Sequence, residues 1–358
     1  MTSLRSHIAA IALCLTMAGA TASAVRADAK PDPRALAPTD IIVDAHPVVS
    51  FHRTRHDQTQ FGDLEFLGGL VLTSPYSKYF GGWSGLAMDA NGKDFAAVSD
   101  SGVWLLATLD RVGNAPSAVK NARLGPLLGL DGLPLKRSRD RDAEAVALLS
   151  GSAHNGSVLI AFEQNSRLAR HEISGGEFSR ALALMEKPRG STNMRRNNGF
   201  EAMTVMAGGP HKGQAVAISE RLYDASRNHT GWIWTPRAVE PFHITNIGDF
   251  DVTDIASLDD GTLFVLERRF RWIEGVKMRI RRIAAADLQP GRTIAGETLF
   301  EADRDYEIDN MEGIAATRGA NGQIILTVLS DDNFNHTLQR TLLLQFAVSD
   351  VTAAKTRP

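Results

Sequence analysis

Five segments of the chain share one sequence pattern, which recurs every 52 to 60 residues. Each segment opens with an acid or hydroxyl residue followed by small and aliphatic residues, then has a turn, then an apolar run that ends in an acid. A repeat of this length indicates one supersecondary unit used several times. In chain order, the segments are Trp83–Gly102, Ala143–Gln164, Asn197–Leu222, Val252–Arg269 and Met311–Asp332.

The apolar run of each segment is short and uninterrupted. Examples are FAAV, VLIAF and LFVL, and Gly-containing turns such as Asn91-Gly92 and Asp260-Gly261 bound the runs. Such runs predict strands that are covered on both faces, because a half-exposed strand would alternate apolar and polar residues. None of the runs reaches the length of a helix.

About four strands per repeat, without long helices, predict an all-β protein with the fold of a β-propeller. Five repeats can be counted. The strand-like text at Leu64–Ser74 precedes the first repeat, and that at Thr341–Val348 ends the last one. We expect the N-terminal strand to complete the last blade and so remove the open sheet edge. Ile41–Phe51 either joins that blade or forms a sixth, decayed one.

The first 29 residues read as a secretory signal peptide, with a short apolar run from Ile8 to about Ala20 and cleavage predicted after Ala24 or Ala29. The run is shorter than a membrane-spanning helix, so no membrane anchor is expected after cleavage. Residues 30–39 are predicted to be an extended lead-in, residues 40–350 a single propeller domain, and residues 351–358 a tail.

Composition narrows the classes of partner and the compartment. The net charge of −2 and the 22% of charged residues give no basic excess, so a nucleic-acid partner is not expected. The single cysteine, Cys14, lies in the signal segment, which excludes a disulfide in the mature chain. With the signal peptide, the absence of disulfides favours a periplasmic or secreted protein, which we expect to be a monomer.

In a propeller, residues at one blade position meet around the central axis even when they are far apart in sequence. The chain carries acids at both ends of its repeats, and we therefore expect a ring of up to eight carboxylates at one mouth of the channel. The opening acids are Glu144, Glu201 and Glu312, and the predicted closing acids are Asp100, Glu163, Glu220, Glu267 and Asp331.

So many carboxylates need a positive partner, because each buried carboxylate has a raised pKa and the negative charges of its neighbours raise that pKa further. Ca²⁺ is one candidate, since it takes six to eight oxygen ligands. Arginines that follow the closing acids are the other, and beside a metal they would suit a phosphate or carboxylate ligand. The alternative is that acid–arginine pairs only tie the blades together. The arginines are Arg167, Arg221 and Arg268.

Two further residues are candidates for chemistry. His336, just past the last closing acid, could serve as a general acid. Ser84 stands at the opening position of the first repeat, where we interpret it as a replacement for the acid and not as a nucleophile. No GxSxG motif is present, so a hydrolase of the α/β type is not supported.

Several ordered motifs resemble those of the exported bacterial phytase-like, or "esterase-like activity of phytase", family. They are GGWSGLAMD at residues 81–89, RDAEAVAL at 141–148, NNGFEAMTV at 197–205, TDIASLDDGTLFVLERRF at 253–270, and DNMEGIAA through LSDDNFN at 309–335. The resemblance covers residues 40–348, nearly the whole of the predicted mature chain.

The resemblance implies a propeller, export and hydrolysis of a phosphoester, with Ca²⁺ held by axial acids. It implies metal ligands at Glu144, Glu163, Glu201, Glu220, Glu267, Glu312 and Asp331, and a phosphate partner at Arg268. Together with the reasoning above, it makes Glu201, Glu312 and His336 the catalytic candidates.

Ser84 and Thr253 depart from the acidic pattern, so the predicted activity is broader than phytate hydrolysis. We predict a metal-dependent hydrolase of a small phosphoester or carboxyl ester, a lactone included. The alternative is a non-catalytic propeller that binds a small ligand or a partner protein at the same mouth.

Overall fold

The computed structural model describes residues 30–75, 77–189, 191, 194 and 199–349, and almost all of its regular structure is β-strand. The predicted signal peptide and the tail at 351–358 lie outside the described residues. The strands before the first repeat are β1 (Thr39–Asp40), β2 (Asp44–Val48), β3 (Gln60–Phe61) and β4 (Leu64–Thr73).

The repeats themselves supply the other strands, blade by blade. The first has β5 (Trp83–Met88), β6 (Asp94–Ser99), β7 (Val103–Val112) and β8 (Ala115–Pro126). The second has β9 (Ala143–Gly151), β10 (Gly156–Phe162), β11 (Arg167–Ser174), β12 (Glu177–Phe178) and β13 (Ala183–Leu184). The third has β14 (Phe200–Val205), β15 (Ala215–Tyr223), β16 (His229–Trp234) and β17 (Val239–Ile244). The fourth has β18 (Asp251–Ser257), β19 (Leu263–Arg271), β20 (Gly275–Ile283) and β22 (Glu297–Ala302). Strand β21 (Thr293–Ile294) precedes β22 in the chain but lies on the edge of the third blade. The fifth has β23 (Asn310–Arg318), β24 (Ile324–Asp331) and β25 (Thr341–Val348).

Five sheets, one per repeat, form the blades of a propeller, and their strands pair antiparallel except for β21, which pairs parallel with β17. The innermost strand of each sheet is the first strand of its repeat, and these strands neighbour one another in a closed ring: β5, β9, β14, β18 and β23. The predicted all-β propeller fold is confirmed.

The fifth blade joins the two ends of the described chain. Strand β4 pairs antiparallel with β25, from Leu64 opposite Val348 to Leu72 opposite Thr341. The predicted closure by an N-terminal strand is therefore present. Strand β2 pairs with β4 in the same sheet, so the strand within Ile41–Phe51 belongs to the fifth blade and the alternative of a sixth blade is wrong.

The apolar runs are buried because each blade packs face to face against its neighbours. The core divides into five clusters, each shared mainly by two adjacent blades. Between the first and second blades, for example, Trp104 stacks on Phe178 with ring centroids 5.4 Å apart. Burial on both faces accounts for the absence of alternation in these strands.

The lead-in packs against the first blade and carries two short elements, which corrects the expectation that it has none. Asp32 accepts a hydrogen bond from the backbone of Arg34 and caps a 3₁₀ turn, Pro33–Ala35. Strand β1 then pairs with β8. The lead-in thus reaches from the outer edge of the blade toward the channel mouth.

Helices contribute little to the described residues. Apart from the 3₁₀ turn, there is the four-residue helix α1 (Ser138–Arg141). Within this part of the chain, no helix has the length and apolar character that crossing a membrane would require.

Candidate metal centre

Each of the five innermost strands has a β-bulge at its opening residue. In the third blade, for instance, Phe200 lies opposite Ser219 and Ala202 lies opposite Ile218, which leaves Glu201 without a partner. A bulge re-aims the side chain of the extra residue. The repeated bulge therefore gives five equivalent positions at one mouth of the channel. They are Ser84, Glu144, Glu201, Thr253 and Glu312.

The closing position of each blade follows from the same register. In four blades, the residue just before the bulge pairs with a residue of the second strand, and the closing acid directly follows that partner. The partners are Ser99, Phe162, Ser219 and Ser330. In the fourth blade, Glu267 occupies the place of those residues, opposite Val252. Arg268 therefore takes the closing position. The closing residues are Asp100, Glu163, Glu220, Arg268 and Asp331.

Glu267 does not join the ring, contrary to the prediction from sequence. Its side chain is fully buried inside the fourth blade, where it accepts hydrogen bonds from Arg279 at 2.6 Å and from Arg281. The two guanidinium groups also donate to the backbone carbonyls of Thr245 and Ile247. Glu267 is thus the centre of a buried ion triplet and not a metal ligand.

The remaining acids approach one another closely enough to hold a cation. Two groups each have carboxylate oxygens within 4.8 Å of one another, and Glu163 belongs to both groups. The first group, Asp142, Glu144 and Glu163, includes a residue that our sequence analysis missed. The second group is Glu163, Glu201 and Glu220.

Asp142 and its equivalents could have been found by extending the repeat upstream. The residue two positions before each opening residue is Gly82, Asp142, Gly199, Asp251 or Asn310. Asp251 accepts a hydrogen bond from Arg221 at 2.8 Å, and Asn310 donates one to Glu312 at 2.7 Å. This third row of positions therefore belongs to the same mouth.

Burial and mutual repulsion favour the protonated form of the ring acids. Burial, followed by the charges of neighbouring carboxylates, raises the pKa of Glu144 and Glu201 well above the usual range. Burial and Asp142 raise the pKa of Glu163 to about 8. Burial also raises the pKa of Glu220 to about 7, although the charge of Arg221 opposes it.

Asp100 and Asp331 behave in the same way. Burial raises the pKa of Asp100 to about 6 against the opposing charge of Lys30. Burial and Asp100 raise the pKa of Asp331 well above its usual range. Without protons or a bound cation, the ring would hold an excess of negative charge.

Three cationic side chains contact the ring in the described structure. Arg268 lies 3.5 Å from Glu312, and Arg221 lies 2.9 Å from Glu220. Burial alone would lower the pKa of Arg268, but the charges of Glu312 and other ring acids raise it. The third cation is Lys30 of the lead-in, whose Nζ lies 2.5 Å from Asp100. Lys30 was not predicted, because nothing in its local sequence ties it to the repeat.

Arg167 and His336 do not contact the ring acids. The Arg167 guanidinium lies over Phe162, 3.7 Å from the ring centroid, and donates to the carbonyl of Asp140. Burial lowers the pKa of Arg167 to about 10. His336 is 58% exposed, and its Nδ1 lies 3.1 Å from Asp332. The predicted substrate and catalytic roles of these two residues have no support from their positions.

A groove of about 670 Å³ opens beside the ring, between the fourth and fifth blades. Arg268 and Asn310 line the groove and also contact Glu312, so the groove and the ring are continuous. Four arginines line it: Arg53, Arg268, Arg304 and Arg340. Sequence reasoning found only Arg268, because the other three come from connections outside the repeated pattern.

Comparison with known proteins gives a family match. The model of the family described as "Phytase-like: Esterase-like activity of phytase" matches residues 78–334. Among curated proteins, no significant relative was found.

Two of the similar solved structures are a nidogen/laminin complex and the β-propeller domain of Myceliophteria thermophila Cps50 (Swd1). The first is 13% identical with a TM-score of 0.38, covering 84% of this chain and 97% of that one. The second is 10% identical with a TM-score of 0.37, covering 84% of this chain and 99% of that one.

Proposed function

Because the chain belongs to the Phytase-like (esterase-like activity of phytase) family, we propose that it is a hydrolase of small anionic esters, with phosphoesters preferred. The observation that carries this proposal is the position of Arg268. It replaces an acid at the closing position of the fourth blade and lines the arginine groove beside the carboxylates. A guanidinium suits the oxygens of a phosphate.

The ring fits a hard divalent cation, and we propose Ca²⁺. Every ligand in the two close groups is a carboxylate oxygen, which is the donor that Ca²⁺ prefers. One oxygen of Asp100 and one of Asp142 are buried without a hydrogen-bond partner in the described structure. Glu163, Glu201 and Glu220 would hold the ion, and Asp142 and Glu144 lie in the adjoining group that shares Glu163.

A cation bound there would supply Lewis acidity toward a phosphoryl or acyl oxygen. Arg268 stabilises negative charge on the substrate, since its guanidinium faces both the ring and the groove. In the metal-free ring, burial and Asp142 raise the pKa of Glu163 to about 8. A cation that Glu163 binds would displace this proton. Glu312 is held in place by Asn310 and Arg268.

A panel of four substrates tests the proposal: p-nitrophenyl phosphate, p-nitrophenyl acetate, phytate and a lactone, each with Ca²⁺ and with a chelator. We expect calcium-dependent release of phosphate from at least one phosphoester. Glu201→Gln should abolish this activity, whereas Glu301→Gln, on the outer strand of the fourth blade, should retain it. Equal activity in Glu201→Gln and the unmodified chain would refute the assignment.

A second candidate function is non-catalytic binding of a protein partner at the same mouth. The observation that favours it is the tip of the β19–β20 hairpin, where Trp272 is 90% exposed and Ile273 is 89% exposed. Exposed apolar side chains that are grouped together often mark interaction sites. A Trp272→Ala variant with unchanged hydrolysis but lost partner capture would support this function.

The location in the cell is a proposal drawn from the first 29 residues. Their short apolar run and their Ala-x-Ala cleavage sites support export to the periplasm or beyond. The substrate would then be a small ester outside the cytoplasm, and the enzyme would act as a monomer. N-terminal sequencing of the protein recovered from the periplasm tests this proposal, and the mature chain should begin at Val25 or Lys30.

A further inference from the structure

The lead-in places the ammonium of a lysine against the carboxylate ring. The ammonium of Lys30 lies 2.5 Å from Asp100 and 3.9 Å from Asp142. Downstream contacts fix this position, because Asp32 forms an ion pair with Arg141 at 2.9 Å and β1 is hydrogen-bonded to β8. Lys30 is therefore a tethered cation and not a freely moving surface side chain.

Lys30 satisfies only part of the charge at its end of the ring. Asp100 and Asp142 are 7% and 4% exposed, and each has one carboxylate oxygen with no hydrogen-bond partner in the described residues. Buried carboxylate oxygens are rarely left without a partner, and a bound ion is one explanation for the exceptions. These two oxygens are available as ligands for a cation at this end, and their lack of partners is an observation separate from the clustering of the acids.

The ring has two ends with different charge compensation. Asp142, Glu144 and Glu163 form the end next to Lys30, and Glu163, Glu201 and Glu220 form the other end. Lys30 contacts only the first end, and both of its partners are ring acids. Arg221 contacts Glu220 at the other end, but Asp251, outside the two groups, also accepts a hydrogen bond from this guanidinium and shares its charge. A divalent cation at the first end would stand next to the Lys30 ammonium and be repelled by it.

We propose that Lys30 fills the Asp100–Asp142 end of the ring, so that a divalent cation binds only at the Glu163–Glu201–Glu220 end. Displacement of the lead-in opens a second cation site made by Asp100, Asp142 and Glu144. This inference rests on the proposed cation site, and it adds a regulatory role for the segment 30–40. The lead-in then sets how many ions the ring holds.

Calcium binding by titration calorimetry and equilibrium dialysis tests the proposal. The unmodified chain should bind one Ca²⁺ tightly and a second one only at high calcium, and Lys30→Met should bind the second at least about tenfold more tightly than the unmodified chain does. Lys30→Arg, which keeps the charge, and Lys136→Met, which removes an exposed lysine elsewhere, should bind as the unmodified chain does. The double variant Lys30→Met/Asp100→Asn should return to one ion, because a ligand of the opened site is lost.

The outcomes separate the two proposals. Equal stoichiometry and affinity in Lys30→Met and the unmodified chain would overturn the role of Lys30 while leaving the cation site intact. Absence of calcium binding in every variant would overturn the cation site of the proposed function and this inference with it.

A second measurement needs no substitution. Amine acetylation followed by mass spectrometry should modify Lys30 slowly without calcium and faster at high calcium, when the second ion displaces the ammonium. Lys136 serves as the internal reference, since its exposure should not depend on calcium. A rate at Lys30 that is unchanged by calcium contradicts displacement of the lead-in.

Discussion

Arg268 of the fourth blade and Glu312 of the fifth form a cross-blade ion pair, with Nη2 lying 3.5 Å from Oε1. The Nε atom of Arg268 is buried and has no hydrogen-bond partner in the described structure. The guanidinium therefore keeps donor capacity for a ligand. This pair joins the carboxylate ring to the arginine groove.

Replacing Arg268 by Met should lower kcat/KM for phosphoesters about 10²- to 10³-fold, because a donor to the developing negative charge is lost. Calcium should bind at least as tightly, since the same change removes a positive charge beside the ring. Steady-state kinetics and calorimetry measure the two effects. Arg271→Met, in the exposed hairpin beyond the ring, is the matched control. A parallel loss of calcium binding and activity would contradict a substrate role for Arg268.

The metal-free protein should become less stable as pH rises from about 4.5 to about 8. The folded-state pKa of Glu163 is about 8 and that of Glu220 about 7, above the ordinary 4.5. The folded state then binds more protons than the unfolded state, so their contribution is fully present below the unfolded pKa and is lost as pH rises through the folded pKa. Thermal melting in chelator across this range measures the trend.

Calcium should reverse this dependence, because cation binding requires ionised carboxylates and stabilises the folded state. The rise in Tm on adding calcium should therefore grow with pH. A calcium-induced rise in Tm that is independent of pH would indicate that calcium binds away from the carboxylate ring. Glu163→Gln should flatten both curves.

Glu267→Gln should destabilise the protein by about 3–5 kcal/mol, since it leaves two buried guanidinium groups without their carboxylate. Tm should fall by several degrees. Glu301→Gln provides the comparison, because Glu301 is 43% exposed and contacts Lys277 and Arg279 only at 3.8 and 3.9 Å. If calcium binding were lost in Glu267→Gln at temperatures where it stays folded, Glu267 would be a ligand after all.

Gly85→Ala should cost about 1–3 kcal/mol, because the innermost strands touch through their backbones. An added Cβ at Gly85 would lie 2.7 Å from Cα of Ala145 in the next blade. At Gly319 the nearest atom is the flexible end of Ile325, 3.1 Å away, so Gly319→Ala is the control. Chemical denaturation of both variants measures the difference. Equal stability would mean that the blades can separate locally to accept the methyl group.

The repeat predicted the blades, the closure and most of the ring, because its apolar runs and its opening and closing residues recur in every unit. The error at Glu267 arose from counting the first acid after the apolar run. Three repeats read Ser-acid at this point, at Ser99, Ser219 and Ser330, and aligning Glu267 with those serines would have put Arg268 in the ring.

Other features of the site had no signal of that kind. Lys30 reaches the ring from the lead-in, and Arg53, Arg304 and Arg340 come from connections that differ between repeats. Their positions depend on how the loops fold over the mouth of the channel, and the sequence repeat carries no information about loop conformation. The bulges could not be predicted from the sequence either, because a bulge depends on pairing register and not on residue type alone.

The pairing of Leu64 with Val348 sets the order of events during synthesis. The other four blades are built from nearly continuous stretches of chain, so each can form as its own repeat leaves the ribosome. The fifth must wait for the C-terminal strand, and until then β4 and β24 have unsatisfied edges that invite aggregation. Ring closure is therefore the last and slowest step, since it joins the most distant parts of the chain. A chain halted before residue 341 lacks the strand that pairs with β4 and closes the ring.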